Sequence, residues 1–261
     1  MAISGVILLA LHAQNPPKHY ELRLSEGIRL QQSGQYHEAR TAYELALREA
    51  ENETGAETSE VNDVLIRQGG LYTKLGDYDA ARAAYERALA IEQRVLGADH
   101  PLVGITLTNI AMTHQLQEHY GTAEPLYRRS LRILEKTAGP YDSNIAVAEL
   151  GMAKLLCVQR RNAEAEPLLE HAIPVLEHTP SDNPNLAIAM VDLAEAYRLD
   201  GRYAKAESLY QRALAIVAAK PSVNTAEVRA GLEHYARMLR SMKRKGQARE
   251  IEAQIKAFIP E

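Results

Sequence analysis

Residues 76–88 read GDYDAARAAYERA, and versions of this phrase return along the chain at a nearly fixed interval. The copies align on an anchor alanine, which is Ala39, Ala81, Ala123, Ala165, Ala206 and Ala248. Successive anchors are 42, 42, 42, 41 and 42 residues apart. A period of this length predicts a solenoid in which each copy is one structural unit and neighbouring units share a continuous core.

Each copy places small and aromatic residues on one face of a helix. In the second copy these residues are Tyr78, Ala81, Tyr85 and Ala88, at positions −3, 0, +4 and +7 from the anchor. This spacing is typical of one face of an α-helix. The small residues allow a neighbouring helix to approach, and tyrosine fills the remaining volume and directs its hydroxyl to water or a polar partner. Repetition of these positions also explains a composition of 13 Tyr, one Phe and no Trp.

A second helix precedes each of these phrases. Residues 61–75 and 186–200 have apolar or small residues at helical spacing, and each ends at a glycine suited to a tight turn, Gly76 and Gly201. Clusters of Gly, Pro, Asp and Ser separate the copies. The sequence therefore predicts an all-α fold, an α-solenoid of about six helical hairpins over residues 18–258, followed by a tail at 259–261.

The first 17 residues form a separate apolar segment. Residues 2–13 read AISGVILLALHA, which has the length of the apolar region of a secretory signal peptide. Two interpretations are open, a signal-peptide remnant that ends near Ala13 and a short helix that packs on the first repeat. The first predicts an exported or periplasmic protein and the second a cytoplasmic one. No apolar run reaches the ~20 residues that a membrane-spanning helix needs.

Charge and cysteine content exclude several classes of protein. The chain has 30 basic and 34 acidic residues, a formal net charge of −4, which argues against a general nucleic-acid binder. The single cysteine, Cys157, excludes an internal disulfide framework. No two histidines have the i, i+4 spacing of a helical zinc site, and no phosphate-binding loop or nucleophile elbow is present. The sequence therefore predicts a non-enzymatic protein without a metal or cofactor.

Two other polar features have structural interpretations. His100 lies in a loop between repeats, where capping of the following helix is the expected role. Glu164, Glu166 and Glu170 have the spacing of an exposed helix flank rather than of a carboxylate site.

The phrase Gly76-x-Tyr78-x-x-Ala81-x-x-x-Tyr85-x-x-Ala88 resembles the tetratricopeptide repeat (TPR). The 42-residue period and the segment from Leu96 to Val103 are similar to the longer kinesin light chain subtype. The resemblance implies a right-handed solenoid in which the first helices of the hairpins line a concave groove. In that family the groove binds peptide segments of partner proteins.

Placed on the helix phase of that family, eleven residues become candidates for the peptide-binding groove. They are Arg67, Lys74, Asn109, Met112, Lys154, Asp192, Glu195, Arg198, His234, Arg237 and Arg240. This surface becomes more basic toward the C-terminus, which predicts a protein or peptide partner with acidic character. Two alternatives are a regulatory sensor that binds a small signal peptide and an accessory subunit of an enzyme complex. The oligomeric state stays open.

Overall fold

The computed structural model describes residues 18–137, 139, 142–179 and 184–258. Over these residues the chain forms twelve α-helices and one 3-10 turn at Pro221–Val223, without a strand. The prediction of an all-α solenoid of helical hairpins is confirmed. The segment at 1–17 and the tail at 259–261 lie outside the described residues, so both predictions made for the N-terminal segment stay predictions.

The helices alternate between first and second members of the hairpins. In chain order they are α1 (His19–Gln32), α2 (Tyr36–Thr54), α3 (Ser59–Leu75), α4 (Tyr78–Val95), α5 (Pro101–Leu116), α6 (Tyr120–Thr137), α7 (Ser143–Val158), α8 (Asn162–Glu177), α9 (Asn185–Leu199), α10 (Tyr203–Ala219), α11 (Ala226–Ser241) and α12 (Lys245–Ala257). Backbone packing divides the chain into two units, Met1–His119 with α1–α5 and Tyr120–Glu261 with α6–α12.

In the first unit, α1 packs against α2 and α3 packs against α4 as hairpins, while α2 contacts α3 and α4 contacts α5. Side chains in the connecting loops cap three of the helices. Thr58 accepts a hydrogen bond from the Val61 amide, and Asp77 from the Ala80 amide. His100 Nδ1 accepts one from the Leu102 amide at 3.2 Å, which confirms the predicted cap at the start of α5.

In the second unit, α7 packs on α8, α9 on α10 and α11 on α12. The first helices of these hairpins are also neighbours, because α7 contacts α9 and α9 contacts α11. Asp142 caps α7 by accepting from the Asn144 amide at 2.7 Å, and Thr225 caps α11 by accepting from the Val228 amide. The second unit therefore presents three adjacent first helices.

The turns inside the hairpins share one backbone conformation. Three of them have glycine at φ of 79°, 75° and 75°, namely Gly34, Gly76 and Gly201. The other three have a residue with a side chain at φ of 61° to 63°, namely Glu118, Arg160 and Lys243. The left-handed conformation belongs to the turn itself, and glycine is the residue that adopts it with least strain.

The repeated positions form the core. All six anchor alanines have no exposed surface. Four tyrosines at position +4 are buried with exposures of 0–3%, namely Tyr43, Tyr85, Tyr127 and Tyr210. The rings lie so close to the first helices that a Cβ atom added at Gly69 would be 2.5 Å from the ring of Tyr85. The same holds for Gly27 against Tyr43, so both glycines serve close packing.

Ion pairs connect successive hairpins of the second unit. Three Arg–Glu pairs recur, with Arg161 to Glu124 at 2.8 Å, Arg202 to Glu166 at 2.5 Å and Arg244 to Glu207 at 2.6 Å. In each, Glu follows the anchor alanine and Arg precedes the next anchor by four residues. The guanidinium beside each carboxylate holds the pKa of Glu124, Glu166 and Glu207 below its usual range. Glu166 is thus a link between hairpins rather than part of an exposed flank.

The adjacent glycines Gly69 and Gly70 provide a test of this packing. We expect Gly69→Ala to lower the free energy of unfolding by about 1–3 kcal/mol, because the new methyl group overlaps the Tyr85 ring. Gly70→Ala is the matched control, since its Cβ would come no closer than 3.7 Å to the Tyr85 hydroxyl. There we expect a gain of up to about 1 kcal/mol from helix propensity. Urea denaturation measures both, and equal effects would contradict the assignment.

Candidate peptide-binding surfaces

In the first unit, Arg67 and Lys74 lie on α3 and line a cleft of about 290 Å³ between α1 and α3. Gln31 and Tyr43 also line it, and the Tyr43 hydroxyl donates to Gln31 Oε1 at 2.8 Å. Arg67 forms an ion pair with Asp63, with Nε 3.2 Å from Oδ1. The cleft therefore combines two cationic side chains with a glutamine that is already oriented by the buried tyrosine.

Asn109 and Met112 lie on α5, in the same unit. Asn109 is half-buried, and Met112 is 38% exposed. Neither residue lines the cleft at Arg67. The first-unit candidates are therefore two separate sets rather than one cluster.

In the second unit, Glu195 on α9 is the centre of a polar cluster. Arg198 donates two hydrogen bonds to its carboxylate, at 2.7 and 2.6 Å. The Tyr210 hydroxyl donates to Oε2 at 3.0 Å, and His234 Nδ1 lies 3.0 Å from the same oxygen. Burial alone would raise the pKa of Glu195, but Arg198, His234 and Tyr210 together hold that pKa below its usual value.

Asp192 lies one helical turn before Glu195. Its Oδ2 atom is buried and has no hydrogen-bond partner, although the residue as a whole is partly exposed. Burial, reinforced by the nearby charges of Glu227 and Glu195 and opposed by Lys154, raises the pKa of Asp192 to about 7. Near neutral pH this carboxyl group is therefore partly protonated and carries less than one full negative charge.

The remaining candidates of the second unit differ in whether an ion pair within the protein neutralises their charge. Lys154 on α7 pairs with Glu227 on α11 at 2.7 Å, and Arg240 pairs with Glu252 at 2.7 Å. Arg237 is exposed, and within the described residues it has no ion-pair partner.

A cleft of about 410 Å³ adjoins the cluster on α9. Asp192, Glu195 and Arg198 line it on α9, and Cys157 and Arg160 line it from the end of α7 and the following turn. Arg160 is exposed and, like Arg237, is without an ion-pair partner in the described part of the chain.

A tetratricopeptide repeat family model matches residues 60–136 and 144–219, and a second such model matches residues 24–94. The chain belongs to the tetratricopeptide repeat family. No curated protein sequence matches the chain significantly.

Several solved structures share the fold of this TPR chain. BtubC (BKLC) from P. vanneervenii is 22% identical, with a TM-score of 0.63 and coverage of 74% of this chain and 77% of that one. A putative kinesin light chain from Podosopora anserina is 21% identical, with a TM-score of 0.62 and coverage of 78% and 97%. A Rap protein complexed with Competence and Sporulation Factor is 15% identical, with a TM-score of 0.64 and coverage of 92% and 74%. These likenesses confirm the TPR fold, and kinesin light chain-like proteins are among the structures that share it.

The structure thus brings together five of the sequence-predicted residues in the second TPR unit. They are Lys154, Asp192, Glu195, Arg198 and His234, which are linked through shared partners on α7, α9 and α11. Sequence reasoning missed Glu227 and Arg160. Glu227 lies outside the phrase that marks the repeats, and Arg160 occupies the glycine position of that phrase in the fourth copy, five residues before Ala165. Only the packing of neighbouring hairpins places either residue at this surface.

Other chemistry at this surface is limited. Burial, together with the charges of Asp192 and Glu195, raises the pKa of the Cys157 thiol to about 12, so the nucleophilic thiolate is scarce near neutral pH. Over the described ranges no three His, Cys, Asp or Glu side chains are grouped to hold a metal ion. None of the described helices combines the length and the apolar character that crossing a membrane requires.

The raised pKa of Asp192 leads to a prediction about pH. Because the folded state holds this proton up to about pH 7 and an ordinary aspartate loses it near 3.8, stability should fall as pH rises between these values. A difference of about three pKa units corresponds to about 4 kcal/mol, and we expect Asp192→Asn to remove most of that fall. Denaturant unfolding at several pH values measures it, with Asp79→Asn, an exposed carboxylate, as the control. Parallel pH profiles for the wild type and Asp192→Asn would contradict the burial argument.

Proposed function

We propose that this TPR protein is a non-enzymatic interaction scaffold that holds a peptide segment of a partner protein against its first helices. The observation that carries the proposal is the polar surface of α7, α9 and α11 with its adjoining cleft of about 410 Å³. TPR arrays are extended scaffolds in which variable surface side chains lie on a constant packed core.

The available charges of the second unit favour an acidic segment. Arg198 neutralises Glu195, Glu227 neutralises Lys154, and Asp192 is partly protonated near neutral pH. The exposed cations Arg160 and Arg237 then remain without partners in the described residues. A surface of this kind attracts carboxylates and provides more selectivity and association rate than affinity.

A second candidate function is a sensor that binds a small signal peptide. The similarity to a Rap protein complexed with Competence and Sporulation Factor favours this candidate. Small-angle scattering with and without a bound peptide distinguishes the candidates, since a rigid scaffold keeps its radius of gyration and a sensor changes it.

The test of the scaffold uses peptides selected by display against the full chain. We expect the double variant Arg160→Glu/Arg237→Glu to bind the selected peptides at least about tenfold more weakly. The reason is that both changes place negative charge where a carboxylate binds. Arg249→Glu is the matched control, since it makes the same change at an exposed position on the second helix α12. Fluorescence anisotropy measures the affinities. Equal affinities for the double variant and the control would exclude this surface as the binding site.

A further inference from the structure

A cavity of about 290 Å³ lies within the first unit among α3, α4 and α5. No residue predicted from the sequence as a groove residue lines it. Its wall is largely aliphatic and is formed by Ile66, Ile91, Val95, Leu96, Leu102 and Ile105. Val95, Leu96 and Leu102 are 55%, 43% and 42% exposed, so the rim leaves apolar surface in contact with water.

A buried carboxylate lines this apolar cavity. Glu92 is only 2% exposed. Its Oε1 atom accepts hydrogen bonds from Asn62 Nδ2 at 3.1 Å and from Thr106 Oγ1 at 3.0 Å. Both donors thus bond the same oxygen. Glu92 Oε2 and Asn62 Oδ1 are left buried without a partner, which is an uncommon arrangement for two acceptors beside one cavity.

In the described part of the first unit, Glu92 is not part of an ion pair with Arg or Lys. Burial raises the pKa of Glu92, and the hydrogen bonds from Thr106 and Asn62 with the charge of His100 oppose that rise. A group that supplies both a positive charge and hydrogen-bond donors would therefore provide the missing partners for Glu92 Oε2 and Asn62 Oδ1.

We propose that this cavity binds a lysine side chain of the partner peptide, with the ammonium group at Glu92 Oε2 and Asn62 Oδ1. This inference rests on the proposed peptide-binding function. The lysine stem places methylene groups against the aliphatic wall, and its ammonium group has three donors and no acceptor. At about 290 Å³ the cavity has room for the stem and ammonium group of one lysine side chain.

The hydrogen-bond geometry favours lysine over arginine. A guanidinium pairs best with a carboxylate that has both oxygens available for two parallel hydrogen bonds. Here Oε1 of Glu92 already accepts from Asn62 and Thr106, so one carboxylate oxygen remains. A compact ammonium group suits this single oxygen and the neighbouring amide oxygen.

The first experiment uses n-butylammonium, which has the end group and stem of a lysine side chain. We expect methyl NMR signals of Ile66, Ile91 and Ile105 in the full chain to shift on titration, with a Kd on the order of 1 mM. At equal ionic strength, n-butanol and butyrate should shift them at least about tenfold more weakly, because they lack the cation. Equal shifts with n-butanol would show an apolar cavity without cation recognition and would overturn the proposal. No shift with any probe would also overturn it, and would indicate a cavity satisfied by water alone.

A matched pair of variants isolates the carboxylate. Glu92→Gln keeps the shape of the side chain and removes its charge. We expect it to weaken the binding of n-butylammonium at least about tenfold without loss of thermal stability. Glu86→Gln makes the same change at an exposed position of the same helix and should leave binding unchanged. If Glu92→Gln does not fold, Leu102→Trp at the exposed rim tests the site by closing its mouth. Binding that survives in both variants would overturn the proposal.

A last measurement separates a peptide lysine from a free amine. Each lysine of a display-selected peptide is replaced by norleucine, which keeps the stem and removes the ammonium group. We expect one replacement to weaken binding about tenfold in the wild type and to have no further effect in Glu92→Gln. Peptides that bind without this dependence would overturn the lysine assignment and leave the scaffold function standing. Failure to select any peptide would instead count against the scaffold, and n-butylammonium binding alone would then assign the cavity to a free alkylamine.

Discussion

The structure depends on one recurring contact, in which a buried tyrosine of the second helix packs on a small residue of the first helix. The contact requires a small residue on the first helix, since the rings of Tyr43 and Tyr85 lie where a side chain on Gly27 or Gly69 would begin. The contact also requires a hydrogen-bond partner for the tyrosine hydroxyl, because a buried hydroxyl without a partner costs free energy. Tyr43 donates to Gln31 and Tyr210 to Glu195, both on first helices. This requirement explains why the composition favours tyrosine over phenylalanine.

The same contact connects the core to the candidate surfaces. Gln31 lines the cleft beside Arg67, and Glu195 is the centre of the polar cluster in the second unit. Gln31 and Glu195, which accept from the buried tyrosines Tyr43 and Tyr210, are therefore held in place at the two candidate surfaces. A held side chain loses less conformational entropy on binding, which raises the affinity that a given contact provides. In the last hairpin Glu252 replaces the tyrosine, and it holds Arg240 by an ion pair instead.

The sequence predicts what is periodic and misses what occurs once. The anchor alanines and the tyrosines recur, and their spacing predicts the hairpins and the core. The cap at His100 was also predictable, because a capping residue acts on the backbone beside it. The unpartnered oxygens of Glu92 and Asp192 were not, because burial at a single site depends on residues 14 to 38 positions away. The turns at Glu118, Arg160 and Lys243 were predicted by the repeat period, but their left-handed conformation was not, because glycine, the residue type that signals it, is absent there.

A comparison of the repeats with one another suggests where selectivity lies. One position on the first helices holds Ser25, Arg67, Asn109, Gly151, Asp192 and His234 in the six copies. The anchor position holds alanine in all six, so packing fixes one set of positions and leaves the other free to vary. The positions of the ion pairs between hairpins vary in a different way, because the sign of the charge at each position can change. Arg40 and Asp77 occupy in the first unit the places that Glu124 and Arg161 occupy in the second, with the charges exchanged. Such positions require complementary charge but no particular sign. At the varied first-helix position single residues still pack or pair locally, as Gly151 does against Tyr127 and Arg67 with Asp63, but no residue type is common to the six copies. Recognition of different partner segments can therefore be encoded there.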